Sequence, residues 1–172
     1  PLEAQFAPVY GMQAADINGD GNTDLMLTGN DYGMERYSGR HDAFNGLCLL
    51  GNGLGKFTAM PAAASGFYVN GDGKALATLH TANGTDLLLA TQNQDSLKVF
   101  AATAKPNSKK WITLQPGDFS ADILYPGGRK RKLEFYYGAG FLSQSSRIIA
   151  TDRSAIKITV TDYRGNKRDI IK

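Results

Sequence analysis

The chain has 172 residues, of which 42% are hydrophobic, so it is long enough to bury one or two cores and too apolar for a disordered segment. Its 20 glycines, eight tyrosines and eight phenylalanines favour many short strands joined by tight turns over long helices. No stretch of about 18 consecutive apolar residues occurs, which excludes a membrane-spanning helix.

The two parts of the chain carry opposite net charge. Residues 1–102 contain five lysine and arginine residues and ten acidic ones, a net charge of −5, whereas residues 103–172 contain 14 and six, a net charge of +8. This change in net charge along the chain predicts two units with different surfaces. We expect a first domain over residues 1–102, a polar linker over residues 103–110 and a second domain over residues 111–172.

The first domain contains two copies of a hairpin pattern. Residues 13–30 and 75–93 both run from small apolar residues through a turn into Thr-Asp-Leu-x-Leu, and their aspartates, Asp24 and Asp86, lie 62 positions apart. Further strand signals follow each copy, which gives roughly four short strands per repeat. A repeated strand–turn–strand unit predicts two blades of a β-propeller or a similar array.

Two blades cannot close a propeller, because known propellers use about four to eight blades. We therefore expect the chain, which opens with Pro1, to be part of a longer protein or to complete a partner. The charged stretch 32–45 is interpreted as an exposed inserted loop, with Tyr32, Tyr37 and Phe44 as candidate exposed aromatic residues.

The second domain shows short alternating segments separated by Gly, Pro, Asp and Asn, at residues 111–114, 121–125, 132–137, 146–150 and 155–161. This pattern predicts a small antiparallel β-sandwich-like domain. No segment longer than about ten residues keeps a helical apolar period, so we expect little helix.

The turn of the first hairpin carries the residue types of a calcium loop. Side-chain oxygens fall at positions 1, 3, 5 and 9 of a nine-residue loop, which are Asp16, Asn18, Asp20 and Asp24. Position 7, Asn22, would offer its backbone carbonyl. Calcium takes six to eight oxygen ligands, and intervening glycines permit the curled backbone that such a loop needs. Carboxylates packed this closely repel one another without a cation. A plain Asx-rich β-turn is the alternative.

The loop differs from an EF-hand, which needs a glutamate at position 12 and helices on both sides. Position 12 here is Leu27, within a strand signal, so we expect the ion to lie between two strands. Magnesium fits less well because it prefers rigid octahedral sites that keep several waters. The second hairpin offers only His80, Asn83 and Asp86, so we expect one calcium ion, in the first repeat only, with Asp86 capping its turn and His80 at the surface.

With residues 51–57, the loop resembles the FG-GAP/VCBS repeat of integrin-α-type β-propellers, over about residues 6–102. The resemblance implies Asp16, Asn18, Asp20, Asn22 (through its carbonyl) and Asp24 as ligands. Residues 136–147 resemble the ASPIC/UnbV-type module that follows such repeats in bacterial surface proteins, over about residues 107–172. Both resemblances imply an exported or cell-surface protein, on the outer-membrane or periplasmic side of a bacterium, where calcium is abundant enough to fill a loop of modest affinity.

No catalytic residues are predicted. Cys48 lies in an apolar run and is interpreted as a buried small hydrophobe, and the serines of residues 143–146 lack a histidine partner. The basic run 127–132 is interpreted as the solvated turn of a hairpin rather than a nucleic-acid contact.

We therefore expect a non-enzymatic calcium-binding module that adheres to a protein or glycan partner. The alternative is a structural accessory subunit that docks into a larger cell-surface complex. A large apolar surface on residues 111–172 would favour this alternative.

Overall fold

The protein is all-β in the computed structural model, which describes residues 1–101, 109–138 and 140–171. Strands account for 47% of the chain and helix for 7%, and the sheets are antiparallel, with none closed into a barrel among the described residues. The expectation of an all-β fold with little helix is confirmed. No helix in these ranges is long and apolar enough to cross a membrane.

The chain divides into two compact units. The first comprises Pro1–Thr103 with Gly140–Ser145, and the second comprises Ala104–Ala139 with Ser146–Lys172. The predicted linker falls mostly outside the described residues, and its last two residues already belong to a strand.

The first unit opens with a four-stranded antiparallel sheet whose strands follow one another in chain order. The strands are β1 (Val9–Ala15), β2 (Asp24–Gly29), β3 (Leu47–Gly51) and β4 (Phe57–Met60). A 3₁₀ turn (Leu2–Gln5) precedes them and a short helix, α1 (Ala62–Ser65), follows. Because side chains alternate between the faces of a strand, Leu27, Leu47 and Leu49 share one buried face of this sheet.

Phe44 completes that buried face, with 3% of its surface exposed, so its prediction as an exposed aromatic residue is wrong. The side chain of Asn30 explains the burial, because its Nδ2 donates to the Phe44 carbonyl at 2.6 Å and its Oδ1 accepts the Phe44 N–H at 3.0 Å. The end of the loop is thereby drawn into the core. Tyr37 is 99% exposed, as the sequence predicted.

The second sheet of this unit has three described strands rather than four: β5 (Gly73–His80), β6 (Asp86–Gln92) and β7 (Lys98–Ala101). Its inner face is buried against the first sheet, in a core that contains Phe67, Val69, Leu76, Leu88 and Ala90, with Met26 of β2 and Phe100 packed against it. The two sheets of the first unit therefore pack face to face.

The described part of the second unit has six strands: β8 (Lys109–Thr113), β9 (Asp118–Leu124), β10 (Lys130–Glu134), β11 (Ile148–Asp152), β12 (Lys157–Asp162) and β13 (Lys167–Ile171). They form a sheet in the order β10-β9-β12-β13 and a two-stranded sheet of β11 and β8. The core contains Ala121, Ile123, Ile149, Ile158 and Val160. The sequence analysis did not predict β13, because three of its five residues are charged and show no apolar alternation. The segment is a strand because it pairs with β12.

Two smaller predictions agree with the structure. The basic run 127–132 passes through a 3₁₀ turn (Pro126–Gly128) into β10, which pairs with β9 as a hairpin. Cys48 is buried on β3. This burial is the main reason that the pKa of its thiol is raised.

Candidate metal centre

Asp16 organises the loop that joins β1 to β2. Its Oδ1 accepts the N–H of Gly19 at 2.7 Å and its Oδ2 accepts the N–H of Gly21 at 2.9 Å, so the backbone curls around one carboxylate. The two glycines have φ angles of 80° and 85°, the left-handed region that the sequence predicted for this curl.

The middle of the loop is exposed and held by short-range hydrogen bonds. The Asp20 N–H donates to Asn18 Oδ1 at 3.0 Å, and Asn18 Nδ2 donates to Asp20 Oδ2 at 3.0 Å. Asp20 Oδ1 accepts the Asn22 N–H at 2.7 Å. That N–H bond and the Asn18 amide lower the pKa of Asp20, because both stabilise the ionised carboxylate. Asp20 is therefore an anion near neutral pH.

Asp24 is the fully buried member of the set and lies at the first position of β2. Its Oδ2 accepts the Ile17 N–H at 2.8 Å, and its Oδ1 accepts the N–H of Gly51, the last residue of β3, at 2.9 Å. Position 51 has no room for a larger residue, since a Cβ there would lie 2.1 Å from the carbonyl oxygen of Thr23. Asp24 thus ties the loop to the neighbouring strand.

Four of the five predicted ligands lie on this loop, and the fifth, Asp24, opens β2 directly after it. In the described ranges, no three His, Cys, Asp or Glu side chains form a metal-binding group. Backbone N–H groups donate to all three carboxylates, and the Asn18 side-chain amide also donates to Asp20. The sequence located the loop; it missed the second role of Asp24, because Gly51 is 27 residues away and no local pattern marks the contact.

The donor set nevertheless fits a hard divalent cation. Every candidate ligand offers oxygen, and a carboxylate oxygen that accepts one N–H keeps a second lone pair. No described lysine or arginine forms an ion pair with Asp16, Asp20 or Asp24, so their charge is compensated only by N–H dipoles. Asn18 and Asp20 are exposed, and their side chains can turn toward a common ion without disturbing the core.

The second hairpin holds an acid in the equivalent place. Asp86 opens β6 and lies opposite His80, just as Asp24 opens β2 and lies opposite Ala15. His80 Nδ1 is 3.0 Å from Asp86 Oδ1, and the two side chains are 14% and 20% exposed. His80 was expected at the surface but is only 14% exposed, because the strand register places it opposite Asp86 and the two side chains pair across the hairpin. The capping role expected for Asp86 stays a prediction.

A second polar cluster in the first unit was not predicted. Lys74 Nζ lies 2.7 Å from the buried carboxylate of Asp72, donates to the Asn30 carbonyl at 3.2 Å and sits 3.9 Å from the centre of the Tyr10 ring. The Tyr10 hydroxyl donates to Asp31 at 2.9 Å, and this bond raises the pKa of Tyr10. The cluster joins residues from β1, β5 and two loops, so no sequence window contains it.

Comparison with known proteins adds no identification. No protein-family model matches the sequence, and no curated protein matches it significantly.

Proposed function

We propose that this protein is a non-enzymatic, calcium-binding β-repeat module, exported or at the cell surface, that binds a protein or glycan partner. The observation that carries the proposal is the loop between β1 and β2. Asp16, Asp20 and Asp24 lie within nine residues of each other along the chain and have no ion-pair partner among the described side chains. Bringing a divalent cation between such carboxylates lowers their mutual repulsion.

The same residues would hold the ion. Asp16, Asp20 and Asp24 would supply carboxylate oxygens, Asn18 its side-chain oxygen and Asn22 its backbone carbonyl. When bound, calcium cross-links the loop electrostatically. Because Asp24 also accepts the Gly51 N–H, ordering of the loop would be transmitted to β3 and the rest of its sheet. A loop of modest affinity is filled where calcium is abundant, which supports a location outside the cytoplasm.

The two sheets of the first unit support a repeat array of propeller-blade type. Each is an antiparallel meander, and one is packed face to face on the other. The second sheet is apolar on its outer face as well, where the side chains are those of Ala77, Leu79, Leu87, Leu89, Val99 and Ala101. Leu79 and Val99 are 45% and 53% exposed. A sheet that is apolar on both faces suits an array in which a further sheet packs on each side.

The alternative of an accessory subunit calls for a large apolar surface on residues 111–172. Among the described residues of that range, the large exposed hydrophobic side chains are Phe119, Tyr136, Tyr137, Phe141, Leu142, Ile156 and Tyr163. Arginines lie over two of these rings, Tyr137 and Tyr163, which favours a binding module over a docking tail. The second unit, with two antiparallel sheets around one core, supports a small sandwich-like domain in this role.

Calorimetric titration of calcium into chelator-treated protein, with thermal melts, tests the proposal. We expect heat release and, at a free calcium concentration of 100 times Kd, a stabilisation of about 2.7 kcal/mol. Asp20→Ala should abolish both effects, whereas Asp42→Ala, an exposed acid of the loop after β2, should leave them unchanged. Absence of heat in the unmodified protein, or equal heat with Asp20→Ala, would refute the metal site.

A further inference from the structure

Four exposed aromatic rings lie at one end of the four-stranded sheet of the second unit. Phe119, Tyr136, Tyr137 and Tyr163 are 43%, 49%, 66% and 67% exposed. They come together because β9 begins where its antiparallel neighbours β10 and β12 end, as the pairs Ser120–Glu134 and Asp118–Asp162 show. We call these four residues, with Arg147 and Arg164, the ring surface.

Tyr163 is held against a turn. A Cβ built at Gly117 would lie 3.5 Å from two carbons of its ring, so the ring covers the backbone at Gly117. The Tyr163 N–H donates to the Gly117 carbonyl at 3.1 Å, and Arg164 Nε donates to the Tyr163 hydroxyl at 2.8 Å. The Tyr163 ring therefore lies against the turn, and the guanidinium carbon of Arg164 lies over it, 5.2 Å from the ring centre.

Tyr137 is fixed in a similar way on the same turn. Its hydroxyl donates to the Pro116 carbonyl at 3.0 Å, and the guanidinium carbon of Arg147 lies 4.2 Å from its ring centre. Arg147 is itself anchored, because its Nη atoms donate to the carbonyls of Asp118 at 2.7 Å and Phe135 at 3.2 Å. An arginine fixed in this way loses little further conformational entropy when a ligand binds.

Phe119 and Tyr136 form an edge-to-face pair, with ring centres 5.7 Å apart and planes at 82°. The Tyr136 hydroxyl donates to Glu134. The four rings are therefore ordered by contacts within the unit, and their exposed parts are available to a ligand at small entropic cost.

The charges around the rings favour an anionic ligand. The second unit carries 14 lysine and arginine residues against six acidic ones. Three acids lie near the rings, and each has partners: Asp118 pairs with Arg168, Glu134 pairs with Lys132, and Asp162 accepts the N–H groups of Arg164 and Asn166. Arg147 and Arg164 form no ion pair with a described acid, so their charges remain available to an anionic ligand.

We propose that the ring surface binds an acidic polysaccharide, with aromatic rings stacked on the apolar C–H faces of the sugars and arginines paired with their carboxylate or sulfate groups. A protein partner usually buries anchors in a water-excluding pocket. Here the rings stand among charged side chains, and three of the four carry a hydroxyl group, which suits a hydrated, hydroxyl-rich chain. This inference names the partner of the binding role proposed above and does not depend on the calcium site.

Binding of the full chain to polygalacturonate, dextran and poly-L-glutamate, measured by calorimetry at two salt concentrations, tests the inference. We expect binding to polygalacturonate that weakens with salt, and much weaker binding to the other two polymers. Equal binding to poly-L-glutamate would show that charge alone, or an acidic peptide, is recognised. Equal binding to dextran would show that acidity plays no part. Either result, or no binding to polygalacturonate, overturns the proposal.

Variants locate the site. Tyr163→Ala and Arg164→Ala should each weaken polygalacturonate binding by about tenfold. Tyr37→Ala, which removes an exposed tyrosine of the first unit, should stay within about twofold. Unchanged binding in both alanine variants, with melting temperatures equal to that of the unmodified protein, would refute the ring surface as the site.

A chelator separates this inference from the calcium proposal. Polygalacturonate binding should persist in EDTA, because no ring-surface residue belongs to the β1–β2 loop. Loss of binding in EDTA would contradict the independence of the two sites. If calcium releases heat but polygalacturonate does not bind, the ring surface fails and the calcium site stands. If polygalacturonate binds but calcium releases no heat, the calcium site fails instead.

Discussion

Substituting Asp24 by alanine tests whether this buried carboxylate supports the fold independently of any metal. The change leaves the N–H groups of Ile17 and Gly51 without their acceptor. A buried N–H without a partner costs about 1–3 kcal/mol, and the cost is smaller at Ile17 because that residue is only half-buried. We therefore expect the free energy of unfolding to fall by about 2–4 kcal/mol, a large part of the ~5–15 kcal/mol typical of a domain.

The assay is urea unfolding in EDTA, which removes any contribution from calcium. Asp24→Asn keeps the shape and one acceptor, so it should lose roughly half as much, about 1–2 kcal/mol. Asp20→Ala is the matched control, because Asp20 is exposed and its bonds stay within the loop; it should change stability by less than about 1 kcal/mol. An equal small loss for Asp24→Ala and Asp20→Ala in EDTA would refute the reasoning from burial.

Two further predictions concern the first unit. Leu88→Ala, in the core between the sheets, should lower the free energy of unfolding by about 2–5 kcal/mol. Leu79→Ala, on the outer face of the second sheet, should lower it by less than about 1 kcal/mol. Equal losses in urea unfolding would contradict the assignment of the two faces. In a spectrophotometric titration, Asp31→Asn should lower the raised pKa of Tyr10, and an unchanged pKa would disprove their bond. The pKa of Asp31 is lowered, first by the Gly33 N–H and then by the Tyr10 hydroxyl. The stability that the Tyr10–Asp31 hydrogen bond adds should therefore be present from about pH 4 to about pH 10. It should fade as pH falls through the lowered pKa of Asp31 or rises through the raised pKa of Tyr10.

Local sequence patterns were sufficient for features formed within a few residues. Alternating apolar residues predicted most of the strands, and the spacing of Asp16, Gly19 and Gly21 predicted the curl of the first hairpin loop. These features depend on the dihedral preferences and side-chain bonds of neighbouring residues, which the order of residues largely fixes.

Contacts between distant residues were decided only by the tertiary structure. Asn30 draws Phe44 into the core, and Asp24 accepts a bond from Gly51, although neither pair is close along the chain. The ring surface likewise depends on antiparallel pairing, which brings the start of β9 to the ends of β10 and β12. Strand pairing and burial are properties of the whole fold. The sequence by itself therefore determined the strands and the loop chemistry, whereas packing decided which polar groups are buried and which aromatic rings remain exposed.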